Sequence, residues 1–327
     1  MDLIKEVTKR VGKNSARIVF PEPEDRRVLK AAEFLSQKEI CSVILIGQEE
    51  TIISNAKNLG IHLAEAIEFI DPASLPEKAQ LVSAYVERNK TKNVTETDAE
   101  TALESPLYIA ASLVAAGLAD GCVAGSVATT GDVIRSALKC IGLAPHSSIV
   151  SSIFLMNLKD GKTITYGDCG VVPYPDSDQL ADIAIDSART HTLLTGAEPI
   201  VAMLSFSTKG SASHESIELV TRALSKVKKK NPDLVIDGEL QFDAAFVPDV
   251  AQRKAPDSKV AGKANVFIFP NLDAGNIAYK ITERLAGAEA TGPILQGLNK
   301  PVMDLSRGCD WKDIVNAACV AILKSVG

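Results

Sequence analysis

Short apolar runs alternate with amphipathic segments along most of this 327-residue chain. Apolar runs of strand length stand at 17–23, 42–47, 121–126, 151–156, 163–168, 199–206, 234–239 and 264–270. Segments with helical periodicity lie between several of them, among them 25–38, 216–230 and 275–287. Because a strand, a crossover helix and a parallel strand form a right-handed unit, this alternation predicts an α/β fold with mainly parallel sheets.

The length and composition of the chain agree with that class and point to two domains. Single hydrophobic cores stop growing near this size, so 327 residues are expected to divide into two. Hydrophobic residues make up 46% of the chain but aromatic ones only 5%, and such an aliphatic bias suits parallel strands covered by helices. The segment 144–150 is the best candidate boundary, because a helical pattern precedes it and an apolar run follows.

Charge and cysteine usage exclude several classes of protein. The formal net charge of −6 provides no general attraction for nucleic acid or anionic membranes, so an anionic substrate would need a locally built positive site. The six cysteines form no CxxC pair, which favours reduced thiols over disulfides or a metal site. Residues 1–10 do not resemble a signal peptide, and we find no uncharged apolar stretch of membrane-spanning length. We therefore expect a soluble cytoplasmic protein.

Small and polar residues follow six of the apolar runs. These clusters are PEPEDR, GSVATTGD, GDCGVVPYP, SFSTKGSASH, DGELQFD and FPNLDAGN. In open α/β sheets, ligands bind outside the carboxyl ends of the strands. Six clusters of this kind predict a long crevice rather than a small pocket.

The segment 125–139 passes from a glycine through Ser and Thr into a helical pattern. Backbone N–H groups and hydroxyls at a helix N-terminus favour an anion, which makes Thr129 and Thr130 candidate phosphate contacts. The alternative is simple capping of the helix by Thr129, Thr130 or Asp132. Arg135 stands one turn further on, where it could reach the same crevice.

The loop 205–214 is rich in hydroxyls and again precedes a helix. Ser207, Thr208 and Lys209 are candidate phosphate contacts, although the loop lacks the spacing of a Walker A motif. A flexible surface loop is the alternative, with His214 as a polar residue at the helix start. No Ser/His/Asp order favours a hydrolase triad.

The segment DLSRGCDWKDI precedes the last apolar helical pattern. Asp310 is placed to cap this helix, with Asp313 at the third helical position, as in a capping box. Capping does not explain the pair Ser306–Arg307. An arginine can bind phosphate with two donors, and a neighbouring hydroxyl can donate to an oxyanion, so the pair is a candidate for both tasks. Cys309 could be a nucleophile, but without a His partner such a cysteine is more often a packing residue.

Six runs of the sequence together resemble the phosphate acetyl/butyryltransferase family, and within it the phosphate acetyltransferases (phosphotransacetylases). They are DLSRGCDWKD, GSVATTGDVIR, YGDCGVVPYPDSDQLADIA, AMLSFSTKGSA, DGELQFDAA and FPNLDAGNIAYK. The resemblance covers essentially all 327 residues in order.

The resemblance implies reversible acetyl transfer from acetyl-CoA to inorganic phosphate, giving acetyl phosphate and CoA by direct attack in a ternary complex. It implies CoA as a substrate and no permanently bound cofactor or metal. It also implies two α/β domains with the active site in the cleft between them, and commonly a homodimer. The first domain would comprise 1–143 plus 296–327, and the second 144–295.

The resemblance also assigns roles to residues of this chain. Ser306 and Arg307 match the family's Ser–Arg pair, and Asp313 matches its catalytic aspartate. Arg135 matches an arginine implicated in CoA binding, and Arg88, in a looser motif, resembles a second one. Asp313 would take the proton of the CoA thiol and return it in the other direction. Since an ordinary Asp has a pKa of about 4 and a thiol about 8.5, desolvation is expected to raise that of the base.

Other interpretations are a phosphate butyryltransferase, a related acyl-phosphate enzyme of lipid synthesis and a silent acetyl-CoA sensor like the tail domain of some malic enzymes. The first would differ by a few methylenes of the acyl chain, each worth about 1–3 kcal/mol. The simultaneous presence of Ser306, Arg307 and Asp313 disfavours the sensor. Trp311 has no role that the sequence suggests.

Overall fold

The computed structural model describes residues 2–326. The chain forms two compact units. The discontinuous unit comprises residues 2–144 and the segment from Leu298 to residue 326, and the continuous unit comprises Pro145–Gly297.

The discontinuous unit is a parallel five-stranded sheet with helices. Its strands, numbered in chain order, are β1 (Arg17–Phe20), β2 (Ser42–Ile46), β3 (Glu68–Ile70), β4 (Gly121–Ala124) and β11 (Val302–Asp304). Its helices are α1 (Leu3–Arg10), α2 (Arg26–Gln37), α3 (Glu49–Asn58), α4 (Lys78–Arg88), α5 (Glu96–Ala102), α6 (Pro106–Ala116), α7 (Thr130–Cys140) and α13 (Trp311–Ser325), with a 3₁₀ turn at Lys90–Lys92. The strand order is β11-β4-β1-β2-β3, and every pairing is parallel.

The C-terminal helix α13 belongs to the core of this unit. Nine of its side chains are buried, among them Ile314, Val315, Ile322 and Leu323, and it packs against α2 and β4. Burial of each large aliphatic side chain stabilises the fold by about 1.5–3 kcal/mol. The chain therefore returns from the continuous unit to complete the sheet with β11 and to cover it with α13.

The continuous unit contains a mixed six-stranded sheet. Its strands are β5 (Ser151–Asn157), β6 (Thr163–Gly167), β7 (Val201–Leu204), β8 (Ile236–Leu240), β9 (Val266–Ile268) and β10 (Glu289–Gln296). Its helices are α8 (Ser177–Thr195), α9 (Glu215–Lys230), α10 (Phe242–Phe246), α11 (Pro248–Lys254) and α12 (Leu272–Ala286). The order is β10-β5-β6-β9-β7-β8, in which β5 runs antiparallel to both of its neighbours and the other pairs are parallel.

The predicted α/β class with mainly parallel sheets is confirmed. Each of the eight apolar runs contains a strand, and the three helical segments correspond to α2, α9 and α12. The antiparallel hairpin of β5 and β6 follows from its loop, residues 158–162, since a parallel return needs a crossover of about a dozen residues. The strands β3, β10 and β11 were not predicted, because two are three residues long and β10 contains Gly292–Pro293.

All six cysteines are buried and carry free thiols. Within residues 2–326, no group of three or more His, Cys, Asp and Glu side chains is arranged to hold a metal ion. No helix in this described part of the chain is both long and apolar enough to cross a membrane.

Candidate active site

The carboxyl ends of β1, β4 and β11 lie together at one edge of the sheet in the discontinuous unit. These three strands are neighbours and parallel, so the loops that follow them, 21–25, 125–129 and 305–310, leave the sheet side by side. The helices α2, α7 and α13 begin directly after these loops. Ligands of open α/β sheets bind at such an edge.

A buried glutamate organises the loop after β4. The carboxylate of Glu22, with 5% of the residue exposed, accepts hydrogen bonds from the backbone N–H groups of Gly125, Ser126, Val127 and Ala128 at 2.7–3.2 Å. The hydroxyl of Ser126 donates a fifth bond to it. These four N–H groups, which precede the start of α7, therefore bind a carboxylate of the chain itself.

The start of α7 is capped by one of its own threonines, as the alternative interpretation of this segment stated. Thr129 is the N-cap, and its Oγ1 accepts from the backbone N–H of Asp132. The Thr129 hydroxyl also donates to Asp132 Oδ2 at 2.7 Å, while the Thr130 hydroxyl donates to Asp304 Oδ2 at 2.6 Å. Both hydroxyls are thus bonded within the unit, and their contact with phosphate stays a prediction.

Ser306 and Arg307 occupy an exposed turn after β11. Ser306 Oγ accepts from the backbone N–H of Gly308 at 3.2 Å, and its carbonyl accepts from that of Cys309 at 2.9 Å. The Arg307 guanidinium has no hydrogen-bond or ion-pair partner within residues 2–326. Its five donors are therefore available to an external anion.

Arg27 connects this turn to the rest of the edge. Its half-buried guanidinium donates to the carbonyl oxygens of Arg307 and Cys309, each at 2.8 Å, and to that of Ser126 at 2.9 Å. Asp25, the N-cap of α2, accepts a charge-assisted bond from the same group at 2.6 Å. One side chain therefore holds the loops after β1, β4 and β11 together.

The start of α13 is a complete capping box, as predicted. Asp310 Oδ1 accepts from the backbone N–H groups of Lys312 and Asp313, and Asp313 Oδ2 accepts from that of Asp310 at 2.8 Å. Asp313 is exposed, and its Oδ1 takes no part in the box. Capping therefore leaves one carboxylate oxygen of Asp313 for another role.

Trp311 packs against a neighbouring helix, and Cys309 is a buried thiol. The Trp311 ring packs against Phe34 of α2, with 5.3 Å between ring centroids, and lies under the ammonium of Lys30. Burial raises the pKa of the Cys309 thiol to about 11, although the nearby Arg27 opposes the shift. A thiol that keeps its proton at neutral pH is a poor nucleophile.

The two arginines expected to bind CoA lie on different helices, Arg135 on α7 and Arg88 at the end of α4. Arg135 is exposed and pairs with Asp132 at 2.6 Å. Arg88, the last residue of α4, lies against Gly142 beyond the end of α7, so closely that a side chain at 142 would collide with its Nη1. Their contact with CoA stays a prediction.

In the continuous unit, the candidate phosphate contacts after β7 are engaged internally. Ser207 is fully buried and its hydroxyl donates to Glu239 at 3.0 Å, while Thr208 donates to Gln241 at 3.3 Å. The Lys209 ammonium pairs with Asp237. These three residues would have to release internal partners to bind phosphate, and that role stays a prediction. His214 is the N-cap of α9, as its alternative interpretation stated.

Sequence reasoning did not single out Glu22, Arg27 or Asp304. The first two lie in or next to PEPEDR, one of the six polar clusters at strand ends that predict a crevice. A charged residue directly after a predicted strand was the available signal, but it did not show which loops these side chains would bind.

A sequence profile described as phosphate acetyl/butaryl transferase matches residues 2–322. The chain belongs to this family. Curated members of the family that resemble it include the phosphate acetyltransferases of Acetivibrio thermocellus and Bacillus subtilis, each 45% identical to it. Both alignments cover 99% of this chain, and they cover 98% and 99% of the two relatives.

Solved structures of the family have the same fold. A phosphotransacetylase from Staphylococcus aureus is similar with a TM-score of 0.92 at 44% identity, and one from Streptococcus pyogenes with 0.94 at 42%. Each comparison covers 99% of this chain and 98% of the other. A branched-chain phosphotransacylase from Enterococcus faecalis, at 16% identity and a TM-score of 0.66, shares the fold alone. The predicted family resemblance is confirmed.

Proposed function

We propose that this enzyme is a phosphate acetyltransferase, which transfers the acetyl group of acetyl-CoA reversibly to inorganic phosphate. The observation that carries the proposal is the relation over 99% of the chain, at 45% identity, to enzymes of that name. The exposed Ser306–Arg307 turn at the sheet edge supports it, because it presents a hydroxyl and an unpaired guanidinium next to each other.

Arg307 binds the attacking phosphate in this proposal. Its planar guanidinium can donate two parallel hydrogen bonds to phosphate oxygens, and such charge-assisted bonds are about twice as strong as neutral ones. Nothing within residues 2–326 competes for these donors. The turn itself is held through its backbone by Arg27, so the Arg307 side chain is left to the ligand.

Ser306 stabilises the tetrahedral intermediate. When a phosphate oxygen attacks the thioester carbonyl, the negative charge moves to the carbonyl oxygen. Because Ser306 Oγ already accepts from the backbone N–H of Gly308, its own proton is directed away and can be donated to this oxyanion. Collapse of the intermediate breaks the C–S bond and releases CoA.

Asp313 moves the proton of the CoA thiol. In the direction of acetyl-CoA synthesis the thiol gives its proton to the carboxylate, and the thiolate attacks acetyl phosphate; in the other direction the leaving thiolate regains it. The free Oδ1 of Asp313 is the atom assigned to this step. Arg88 and Arg135 bind the phosphates of CoA, and direct transfer requires no enzyme nucleophile and no metal.

A coupled assay tests the activity. The enzyme is supplied with phosphate and either acetyl-CoA or butyryl-CoA, and release of free CoA is followed together with acyl phosphate. We expect a clear preference for acetyl-CoA, since the curated relatives at this identity are named for acetyl transfer. A higher kcat/KM with butyryl-CoA would assign the enzyme to butyryl transfer, and the absence of phosphate-dependent CoA release would contradict both.

We further propose that the enzyme is a homodimer in the cytoplasm. Helix α12 exposes an apolar stripe of Ile277, Ile281 and Leu285, which are 57%, 51% and 83% exposed. Two copies of such a stripe can cover each other about a two-fold axis. Six free thiols suit a reducing compartment. Light scattering of the protein and of Leu285→Lys tests the dimer, which the lysine is expected to weaken.

A further inference from the structure

Asp304, the last residue of β11, is buried with an unusual imbalance between its two carboxylate oxygens. Oδ2 accepts the hydroxyl of Thr130 at 2.6 Å, whereas Oδ1 is buried without a hydrogen-bond partner within residues 2–326. A side chain at Gly125, whose φ is +100°, would collide with this Oδ1, so the glycine allows the close approach that covers it. Native proteins pair nearly all buried polar atoms, and an exception calls for a physical reason.

The neighbouring carboxylate of Glu22 shows that this edge of the sheet can provide a buried acid with a full set of hydrogen-bond donors. Glu22 accepts five hydrogen bonds, while Asp304 receives one from a side chain. Burial raises the pKa of Asp304 to about 6; the Thr130 bond opposes the shift and the charge of Glu22 adds to it. No cation pairs with Asp304 in the described part of the chain.

The charged and polar groups around Asp304 come from four elements of the fold. The loop after β1 contributes the charged Glu22, and α7 contributes the neutral Thr130. Strand β4 and its loop contribute backbone and Gly125. The helix α13, which packs against β11, carries Asp310 and Asp313 at its start, and these two bond to each other's backbone in the capping box.

An acid in this position costs stability at neutral pH. Its folded pKa lies above the ordinary value of 3.8, so the carboxyl favours the folded state while it is protonated, and this contribution is lost as pH rises to about 6. An asparagine could bond Thr130 without carrying a charge. A site that keeps a destabilising group commonly does so for function.

Thr130 connects Asp304 to the proposed transfer site. It is the first residue of α7 and is exposed, and because its proton is donated to Asp304, its Oγ1 lone pairs are left to accept from outside. Asp304 precedes Ser306 by two residues, so their Cα atoms lie within about 7 Å. Of the reacting groups, the CoA thiol is the one that must lose its proton to Asp313, and a neutral acceptor beside it can orient the thiol for that step.

We propose that Asp304 is a positioning residue that acts through Thr130, by fixing the Thr130 hydroxyl as a hydrogen-bond acceptor for the CoA thiol. This inference rests on the proposed acetyl transfer. While Asp304 is ionised, the thiol S–H donates to Thr130 Oγ1 and the Thr130 O–H donates to Oδ2. Once Asp304 is protonated, its own O–H donates to Thr130, whose proton then turns outward and repels the thiol proton. Thr130 only orients the bound thiol: the S–H bond breaks when its proton passes to Asp313, and no covalent bond to Thr130 forms or breaks.

The test follows acetyl-CoA synthesis from acetyl phosphate and CoA between pH 5 and 9, for the wild type, Asp304→Asn, Thr130→Val and the double variant. We expect wild-type kcat to fall below about pH 6 and Asp304→Asn to lack this step. At pH 8 each single variant should lose roughly tenfold in kcat, the difference between a charge-assisted and a neutral hydrogen bond. The double variant should lose no more than the singles, since they interrupt one chain of contacts.

Melting temperatures supply a second readout. Asp304→Asn should melt higher than wild type at pH 8 and equally near pH 4, where the wild-type carboxyl is protonated. Thr130→Ser should keep the activity, because serine retains the hydroxyl. Asp120→Asn is the matched control: Asp120 accepts from the backbone N–H of Arg17 at the opposite end of β4, and its replacement should leave kcat and its pH profile unchanged.

The outcomes separate this inference from the proposed function. A wild-type protein without acetyl transfer would remove the function itself, whatever the variants do. An active wild type whose Asp304→Asn variant keeps both kcat and the step near pH 6 would overturn the role of Asp304 alone. Losses that multiply in the double variant would overturn the link through Thr130. If Asp304→Asn does not fold, Thr130→Val decides, since unchanged kcat in that variant also overturns the inference.

Discussion

The guanidinium of Arg27 donates a 2.8 Å hydrogen bond to the main-chain carbonyl of Arg307, 280 residues further along the chain. The contact is to the backbone, so it positions Arg307 without occupying its side chain. Further bonds from Arg27 to the carbonyls of Cys309 and Ser126 make the exposed turn part of the sheet edge. Arg27 therefore positions the backbone of the residue that we propose binds phosphate.

Arg27→Ala is expected to lower both stability and turnover. Three carbonyls lose a charged donor, which should cost about 1–3 kcal/mol of unfolding free energy. A displacement of the turn by about 1 Å can reduce kcat by roughly 10². Arg27→Lys should recover little, because an ammonium lacks the planar fork that spans several acceptors. Thermal melting and steady-state kinetics of the same preparations measure both effects.

Arg26→Ala is the control for this variant. Arg26 is the exposed neighbour at the start of α2, and its removal should leave kcat near wild type. If Arg27→Ala melts lower but keeps the wild-type kcat, Arg27 supports the fold and has no positioning role.

Local patterns were sufficient to predict the fold class and most of the strands. Short apolar runs predicted eight of the eleven strands within residues 2–326, and helical periodicity predicted α2, α9 and α12. The spacing of Asp310 and Asp313 predicted the capping box, because it too involves residues a few positions apart. The three-residue strand β11 is too short to form such an apolar run. Only its pairing with β4 in the structure identifies it as a strand.

The residues that build the site edge could not be paired from sequence. Glu22 binds N–H groups 103–106 positions away, and Asp304 binds Thr130 across 174 positions. Such contacts depend on which strands become neighbours, and no local pattern encodes that order. The segment 125–139 illustrates the difference: the local pattern predicted the capping of α7 by Thr129, but it gave no sign that the N–H groups of 125–128 bind Glu22.

Arg307→Ala tests the phosphate ligand. Its side chain has no partner within residues 2–326, so we expect an unchanged melting temperature. Turnover should fall by roughly 10²–10³, the loss seen when a donor to developing charge is removed. Arg307→Lys should restore part of it, as a single ammonium replaces the bidentate fork. Wild-type turnover in Arg307→Ala would remove Arg307 from the reaction.

The proposed CoA contacts are tested by Arg88→Ala and Arg135→Ala. Each should raise the KM for CoA by roughly two- to fivefold, the size of an exposed charge contact, and the wild-type KM should rise with salt. Arg222→Ala is the matched control, because Arg222 is also an exposed arginine that pairs with an acid on its own helix. A change confined to the KM for phosphate would reassign both residues.

Cys309→Ala distinguishes direct transfer from an acetyl-cysteine route. Since burial raises the pKa of this thiol to about 11, we expect the variant to keep most of its turnover and the wild type to show sequential kinetics. A covalent route would give ping-pong kinetics and a trappable acetyl-enzyme. Mass spectrometry after rapid quenching checks this, and an acetylated Cys309 that forms and decays at the rate of turnover would contradict direct transfer.

Asp313→Asn separates the two roles of the aspartate at the start of α13. The asparagine side chain can still accept from the backbone N–H of Asp310, so the capping box and the melting temperature should change little. If Asp313 is the base for the CoA thiol, turnover should fall by roughly 10²–10⁴. The loss should shrink as pH rises toward the thiol pKa of about 8.5, because solvent then ionises more of the thiol without help.

Asp310→Asn makes the same chemical change three residues earlier in the same capping box. Asp310 bonds two backbone N–H groups, and Asn is an equally good N-cap, so both melting and turnover should stay near wild type. A large loss in Asp313→Asn beside a small one in Asp310→Asn would therefore belong to the chemistry of the carboxylate rather than to the helix start. Near-normal turnover in Asp313→Asn would restrict this residue to capping, and the proton of the thiol would then have to pass to another acceptor at the same edge.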